Sequence, residues 1–336
     1  MGVVERLVRG AGAMSGGNIG GEYRAAPAWD ATGLTGYLAP EGFAAELHTE
    51  LTRAGTPPVA VHGRLFLAAG AAWHPVWAQN VWYDVAALSV PAIKVAARAL
   101  KAWQRNWALL PTDGPYRRAQ LIAEQLPPVA ARPLRFPEPP PAAPLGGWTL
   151  TAPDRLLAAA RTASPFPHGE ARFVEDRTGP PNRAYLKLWE ALTRLGTHPG
   201  PGQRCLDLGA APGGWTWVLA ELGAATIAVD KARLAPDIAA RPGVEARCDS
   251  AFGLRPQHVG PVDWLFSDIV CYPDKLLDLV RRWQDSGQGA RFVCTVKFQG
   301  ATDFDALDAF RAQAGGSLHH LTHNKHEVTW FWPSCP

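Results

Sequence analysis

The chain has 336 residues, 47% of them hydrophobic and 19% charged, enough for two globular domains with cores of their own. No apolar run approaches the roughly 18 residues of a membrane span, and five unevenly spaced cysteines make no disulfide framework, which points to a reducing compartment, the cytoplasm. A net charge of +3 falls short of the basic excess that alone marks a nucleic-acid binder.

Residues 1–30 open with arginines but no apolar core long enough for a secretory signal, and are expected to be disordered, with Met14 as a second candidate start. Thr35 to Arg53 reads as a short strand, a turn at Pro40 to Gly42, and a helix. Strands are expected at Ala60 to Ala68 and Asn80 to Ser89, and a helix from Val90 to Leu109. On that helix Lys94, Arg98, Lys101 and Arg105 recur at helical spacing beside an (i, i+4) pair, Trp103 and Trp107. Two readings stay open: an RNA-gripping stripe whose cations hold phosphates while the rings stack on bases, or a solvated cationic face with its tryptophans in the core. Proline-rich sequence from Pro127 to Pro144 suggests a stiff spacer, Trp148 to Thr151 a strand, and Ala152 to Ala163 a short helical or turn segment. Residues 31–160 would form an α+β N-terminal domain, and 161–336 a second domain.

That second part carries the most informative run, LDLGAAPGGW, Leu206 to Trp215. An apolar strand closes on Asp207, and Gly209, Gly213 and Gly214 let the backbone approach a ligand before Trp215 begins a helix. The spacing is neither G-x-G-x-x-G nor a phosphate loop, so a ligand with an adenosine end and no phosphate, S-adenosylmethionine, fits better than a nucleotide. Ala211 and Pro212 lie within the same turn. Asp230 ends the next strand, Ala225 to Val229, where an acid would accept ribose hydroxyls. Asp249 follows a third strand (Val244 to Cys248) as a candidate adenine-side contact or a simple turn former. Asp268 follows a fourth (Val262 to Ser267) and Lys297 a fifth (Phe292 to Val296). In an open α/β sheet these strand ends line one crevice. Glu327 begins its strand, Glu327 to Trp332, so it reaches that crevice only if this last strand runs antiparallel to the rest.

Other chemistries fit less well. The segment SDIVCYP, Ser267 to Pro273, lacks the Asn/Asp-Pro-Pro-aromatic run of base-amine methylation. Cys271 and Cys294 have no proline-cysteine context for a cysteine nucleophile and read as apolar packing. The histidines at 319, 320, 323 and 326 have no cysteine or acid at a usual zinc spacing, so no metal is expected.

With Lys187, the residues Asp268, Lys297 and Glu327 around LDLGAAPGGW resemble the lysine-aspartate-lysine-glutamate tetrad of the FtsJ-like ribose 2′-O-methyltransferases. Within that family the chain is most similar to the large-subunit ribosomal RNA methyltransferase M group, whose entry into the catalytic domain resembles Ser164 to Leu192, SPFPHGEARFVEDRTGPPNRAYLKLWEAL. The resemblance covers Ser164 to the end, with Ala184 standing where the group tends to have serine. It implies a Rossmann-like α/β fold with a mostly parallel seven-stranded sheet, S-adenosylmethionine as cofactor, and RNA, large-subunit ribosomal RNA or its precursor, as partner. Lys187, Asp268, Lys297 and Glu327 would be catalytic, with Asp268 also at the cofactor. The group carries a THUMP-type RNA-binding module in its N-terminal region, which here is shortened. Two further readings are a catalytically silent RNA-binding factor and a small-molecule O-methyltransferase.

Chemistry explains the quartet. A ribose 2′-hydroxyl is a very weak acid, so it attacks a sulfonium methyl only if a base removes its proton and the atoms are held in line at roughly 3–3.5 Å. Lys297 is the candidate base, its pKa expected to be pushed down by Lys187 and partial burial and restrained by Asp268 and Glu327.

Overall fold

A computed structural model gives the structure of the chain, describing residues 28–112, 114–129 and 131–333. Two sheets organise it. The first is built from β1 (Asp30–Leu38), helix α1 (Ala44–Arg53), β2 (Ala60–His62), β3 (Leu65–Ala69), β4 (Asn80–Ser89), α2 (Ile93–Trp103), β5 (Trp107–Leu109), α3 (Tyr116–Ala123), β6 (Gly146–Ala152), β7 (Arg155–Ala159) and β8 (Arg161–Thr162). Its strands run in the order β2-β3-β1-β4-β7-β6-β5, with β8 beside β4. The alanines and Leu100 of α2 and Ile122 of α3 bury one face of this sheet against Trp107, Trp148 and Leu156.

Several expectations in this half are corrected. Ala60 to Ala68 is a hairpin rather than one strand, because Gly63 at φ 58° reverses the chain between β2 and β3. The helix expected to reach Leu109 ends at Trp103; Gln104 is already extended, and Trp107 is buried on β5 in parallel pairing with β6. Ala152 to Ala163 holds the expected turn only at Pro153 and Asp154 and no helix: from Arg155 its alanine-rich stretch is strand, captured by pairing with β4 and β6, which overrides local propensity. Of the segment expected to be disordered, residues 1–27 and Met14 with them lie outside the described residues, and Asp30 already begins β1.

The second sheet follows α4 (Tyr185–Leu195) and contains β9 (Arg204–Leu208), α5 (Gly214–Glu221), β10 (Ala225–Asp230), α6 (Pro236–Ala239), β11 (Val244–Cys248), α7 (Pro256–Val259), β12 (Trp264–Ser267), α8 (Pro273–Asp285), β13 (Phe292–Lys297), α9 (Phe304–Arg311), β14 (Ser317–His319) and β15 (Glu327–Trp332). Strand order is β11-β10-β9-β12-β13-β15-β14. All pairs are parallel except those of β15, which runs antiparallel to both neighbours and brings Glu327 opposite Lys297. This is a Rossmann-like α/β sheet. The order reverses between β9 and β12, so the ligand crevice lies at their carboxyl ends.

The two sheets share one core cluster besides their own. One apolar cluster joins Tyr37, Leu47, Leu51 and Trp77 to Phe298, Phe310 and Trp330. Trp77 packs among Phe43, Phe298, His320 and His326. Beside it Glu50, 2% exposed, accepts the backbone N–H of Val76 (2.7 Å) and Trp77 (2.9 Å) and pairs with Arg311 of α9. Among the described residues no helix is long and apolar enough to cross a membrane.

Candidate active site

The glycine turn forms between β9 and α5. Gly209 and Gly213 take φ of 79° and 119°, a region that disfavours side chains. Neither has room for one: a Cβ on Gly209 would lie 2.9 Å from the backbone of Ile269, and one on Gly213 would lie 2.8 Å from Ile238. At Gly214 a Cβ would run into Asn182, whose side chain also accepts the N–H of Ala184. Ala211 donates its N–H to Asp230 Oδ2 (3.0 Å), and Pro212 accepts from Ala235 N–H (2.9 Å). Asp230 also accepts from Ala232 N–H through Oδ1 (2.9 Å), so the carboxylate braces the turn and keeps further lone pairs. Asp249 is exposed at the end of β11; its N–H meets the carbonyl of Asp230 (3.0 Å).

Two of the residues expected at the cofactor are buried beneath the turn. Asp207 is fully buried and accepts from Thr216 Oγ1 (2.6 Å). Burial, with Asp268 and Asp230 nearby, pushes its carboxyl up to about 7. Trp215, 3% exposed, packs edge-on against Phe266 and donates its indole N–H to the carbonyl of Ala184 (3.0 Å). Both shape the turn from below.

At the carboxyl ends of β12 and β13 four charges form a continuous chain. Lys187 Nζ, from α4, lies 2.6 Å from Glu327 and 3.0 Å from Asp268 Oδ1. Lys297 Nζ lies 3.0 Å from the same oxygen and donates to the backbone carbonyl of Asp268 at 2.7 Å. The four side chains are only 8–18% exposed. Burial works against the charge on Lys187, but Asp268 and Glu327 outweigh it and raise its pKa. Burial likewise opposes the charge on Asp268, and the two lysines overcome it and hold the carboxyl down. Lys187 is thereby a fixed cation, with Asp268 the anion shared by both lysines. Among the described residues Lys187 meets two carboxylates and Lys297 one.

Glu190 was not singled out from sequence. It is fully buried, pairs with Arg194 (2.9 Å) and His323 (2.8 Å), and accepts from the N–H groups of Thr322 and His323. Burial opposes its ionisation, yet Arg194 and His323 bring its pKa down to about 2. The available signal was an acid on an otherwise apolar helix face, at (i, i+4) to an arginine. The other histidines have local partners: His320 the carbonyl of Lys325, and His326 the hydroxyl of Thr302. Cys271 and Cys294 are buried, and desolvation pushes the Cys271 thiol up to about 11 and that of Cys294 higher. Both remain protonated, unsuited to nucleophilic attack.

Residues 180–303 match the family model described as FtsJ-like methyltransferase. The ribosomal RNA large subunit methyltransferase M of Halorhodospira halophila is 38% identical over 173 residues, covering 49% of this chain and 50% of the relative. The protein of the same description from Alkalilimnicola ehrlichii is 36% identical over 186 residues, covering 52% and 51%. The chain thus spans about half the length of the curated relatives it matches. Among solved structures, Aeropyrum pernix fibrillarin with bound S-adenosyl-L-methionine is 19% identical, covering 44% of this chain and 75% of that one, at a TM-score of 0.34.

Proposed function

We propose, from the match of residues 180–303 to the FtsJ-like methyltransferase model, that the chain is an S-adenosylmethionine-dependent RNA ribose 2′-O-methyltransferase acting on large-subunit ribosomal RNA in the cytoplasm. The observation that carries this reading is the buried chain Glu327–Lys187–Asp268–Lys297 at the crevice where the strand order reverses. The second sheet is the catalytic unit in this reading and the first sheet the RNA-gripping one, with Lys94, Arg98, Lys101 and Arg105 as phosphate contacts. All four are exposed, although Arg105 lies beyond the end of α2.

The donor set fits the cofactor. Asp230 and Asp249, adjacent at the ends of β10 and β11, present carboxylate lone pairs suited to a ribose diol and an adenine amine. The turn from Gly209 to Gly214 keeps its backbone clear of side chains, with Ala211 and Pro212 between the glycines. When bound, the cofactor supplies a methyl group on a sulfonium. Lys297 then takes the proton of the 2′-hydroxyl, held by Asp268, while Lys187 keeps Asp268 and Glu327 in place and prevents Asp268 from protonating. As transfer cancels the sulfonium charge, the residues act chiefly by alignment.

The test is methyl transfer from labelled S-adenosylmethionine to unmodified large-subunit RNA by wild type and Lys297→Ala, followed by digestion to nucleosides. A 2′-O-methylnucleoside that disappears in the variant supports reaction, substrate class and base together. A base-methylated product, or none despite cofactor binding, would overturn the assignment.

A further inference from the structure

The first sheet holds a cavity of about 820 Å³, apart from the tetrad. It opens where the pairing of β1 with β4 slips between Ala31 and Leu34 and again between Leu34 and Gly36, with Gly33 at φ 68° making the bulge. Across the opening Asp84 adopts φ 54° inside β4, a backbone conformation that aspartate tolerates better than most residues. Trp29, Tyr83 and Trp103 line the cavity. The rings of Trp29 and Trp103 lie 4.6 Å apart, and Trp103 is still 37% exposed. Trp107, expected beside it on the helix, is instead buried, its indole N–H bonded to the carbonyl of Leu100 (2.9 Å).

Two sources of positive charge border these rings. Arg161 lies 4.5 Å over the ring of Tyr83 and meets Asp84 at 3.3 Å, but the two side chains are 71% and 88% exposed. So open an ion pair is weak, and its guanidinium can exchange onto a phosphate. Helix α2 lines the cavity through Ala99, Ala102 and Trp103 and has no acid in its sequence IKVAARALKAW. At 100° per residue its exposed Arg98 sits roughly 40° around the helix from Ala102, so the cationic face adjoins the cavity wall.

We propose that this cavity binds an unpaired RNA base, stacked among Trp29, Tyr83 and Trp103, with flanking phosphates held by Arg161 and Arg98. Its volume lies within the roughly 300–1,000 Å³ of small-ligand pockets, and a wall of rings beside cations suits a flat base on a polyanionic strand. The ligand class rests on the RNA methyltransferase reading, and the site adds a grip on RNA remote from the glycine turn.

The experiment is fluorescence anisotropy of a fluorescein-labelled single-stranded oligoadenylate with the full chain, without cofactor. Trp103→Ala should weaken binding roughly 5- to 100-fold, the range for one stacking ring, with the salt dependence unchanged. Trp103→Phe should restore most of it, whereas Arg161→Gln should weaken binding and flatten the salt dependence. Wild-type affinity in Trp103→Ala, or no rescue by Trp103→Phe, would overturn the proposal. A chain that grips RNA through Trp103 yet transfers no methyl group would overturn the reaction and leave the cavity assignment standing.

Discussion

Glu190 lies one helical turn beyond Lys187 on α4, and these two buried charges hold the approach and the start of β15: Glu190 accepts from the backbone of Thr322 and His323, while Lys187 binds Glu327. The helix thereby fixes the position of Glu327 through the loop before it as well as through the side chain itself. Glu190→Gln should destabilise the fold by about 3 kcal/mol, the lower end for breaking a buried pair, since Arg194 keeps its bond to the carbonyl of Gly169. Because the Glu190 pKa is depressed from 4.5 to about 2, its stabilisation is present above pH 4.5 and lost as pH falls toward 2. Urea unfolding of both proteins across that window should show wild type losing stability faster on acidification.

Asp207 and His320 shape the neutral range with opposite signs. The Asp207 carboxyl is raised from 3.8 to about 7, so stability present below 3.8 is lost as pH rises through about 7. Burial depresses His320 from 6.5 to about 4, so its contribution is present above 6.5 and lost as pH falls toward 4. Their effects oppose each other between about pH 4 and 6.5. Thermal midpoints should therefore climb with pH more steeply in Asp207→Asn than in wild type, and less steeply in His320→Gln. Parallel curves for all three proteins would refute the argument.

Lys297→Arg should be as inactive as Lys297→Ala. The guanidinium stays protonated at any usable pH, so it keeps the contact with Asp268 but accepts no proton. Loss of general-base catalysis is expected to lower kcat by at least about 10²-fold with cofactor affinity unchanged, which single-turnover transfer and calorimetry would separate. Substantial activity in the arginine variant would remove Lys297 from the base role.

Lys187→Met should lower transfer by a similar order and release Asp268 from its depressed pKa, so residual activity should fall further as pH is lowered than in wild type. A pH–rate profile of the variant against wild type checks this. Coincident acid limbs would show that Lys187 does not hold Asp268 ionised.

Much of the second half was legible because polar residues interrupt apolar runs at strand ends. Asp230, Asp268 and Lys297 stand at the carboxyl ends of their strands, and β15 runs antiparallel, as it must if Glu327 is to share their crevice. Lys187 was legible only through family resemblance, since one lysine on a helix carries no such positional signal. Asp207 and Trp215 sit in the right motif, but whether a side chain points into or beneath a turn depends on packing that spacing does not encode. β14 is three residues long, too short for periodicity to register. In the first sheet, Gly63 inside an apolar run hid a hairpin, and no breaker marked the end of α2 before Trp107 turned onto β5.

The apolar cluster that joins Trp77 to Phe298 and Trp330 has one more consequence. Through it, a substrate that the first sheet held would be presented to the second at a set bearing. Under the proposed function the molecule then measures as well as grips. The nucleotide it modifies is then chosen by how far it lies along the folded RNA from the anchored base, so target choice can be specific without base readout at the tetrad. Lengthening or shortening the RNA between anchor and target should displace the modified position accordingly.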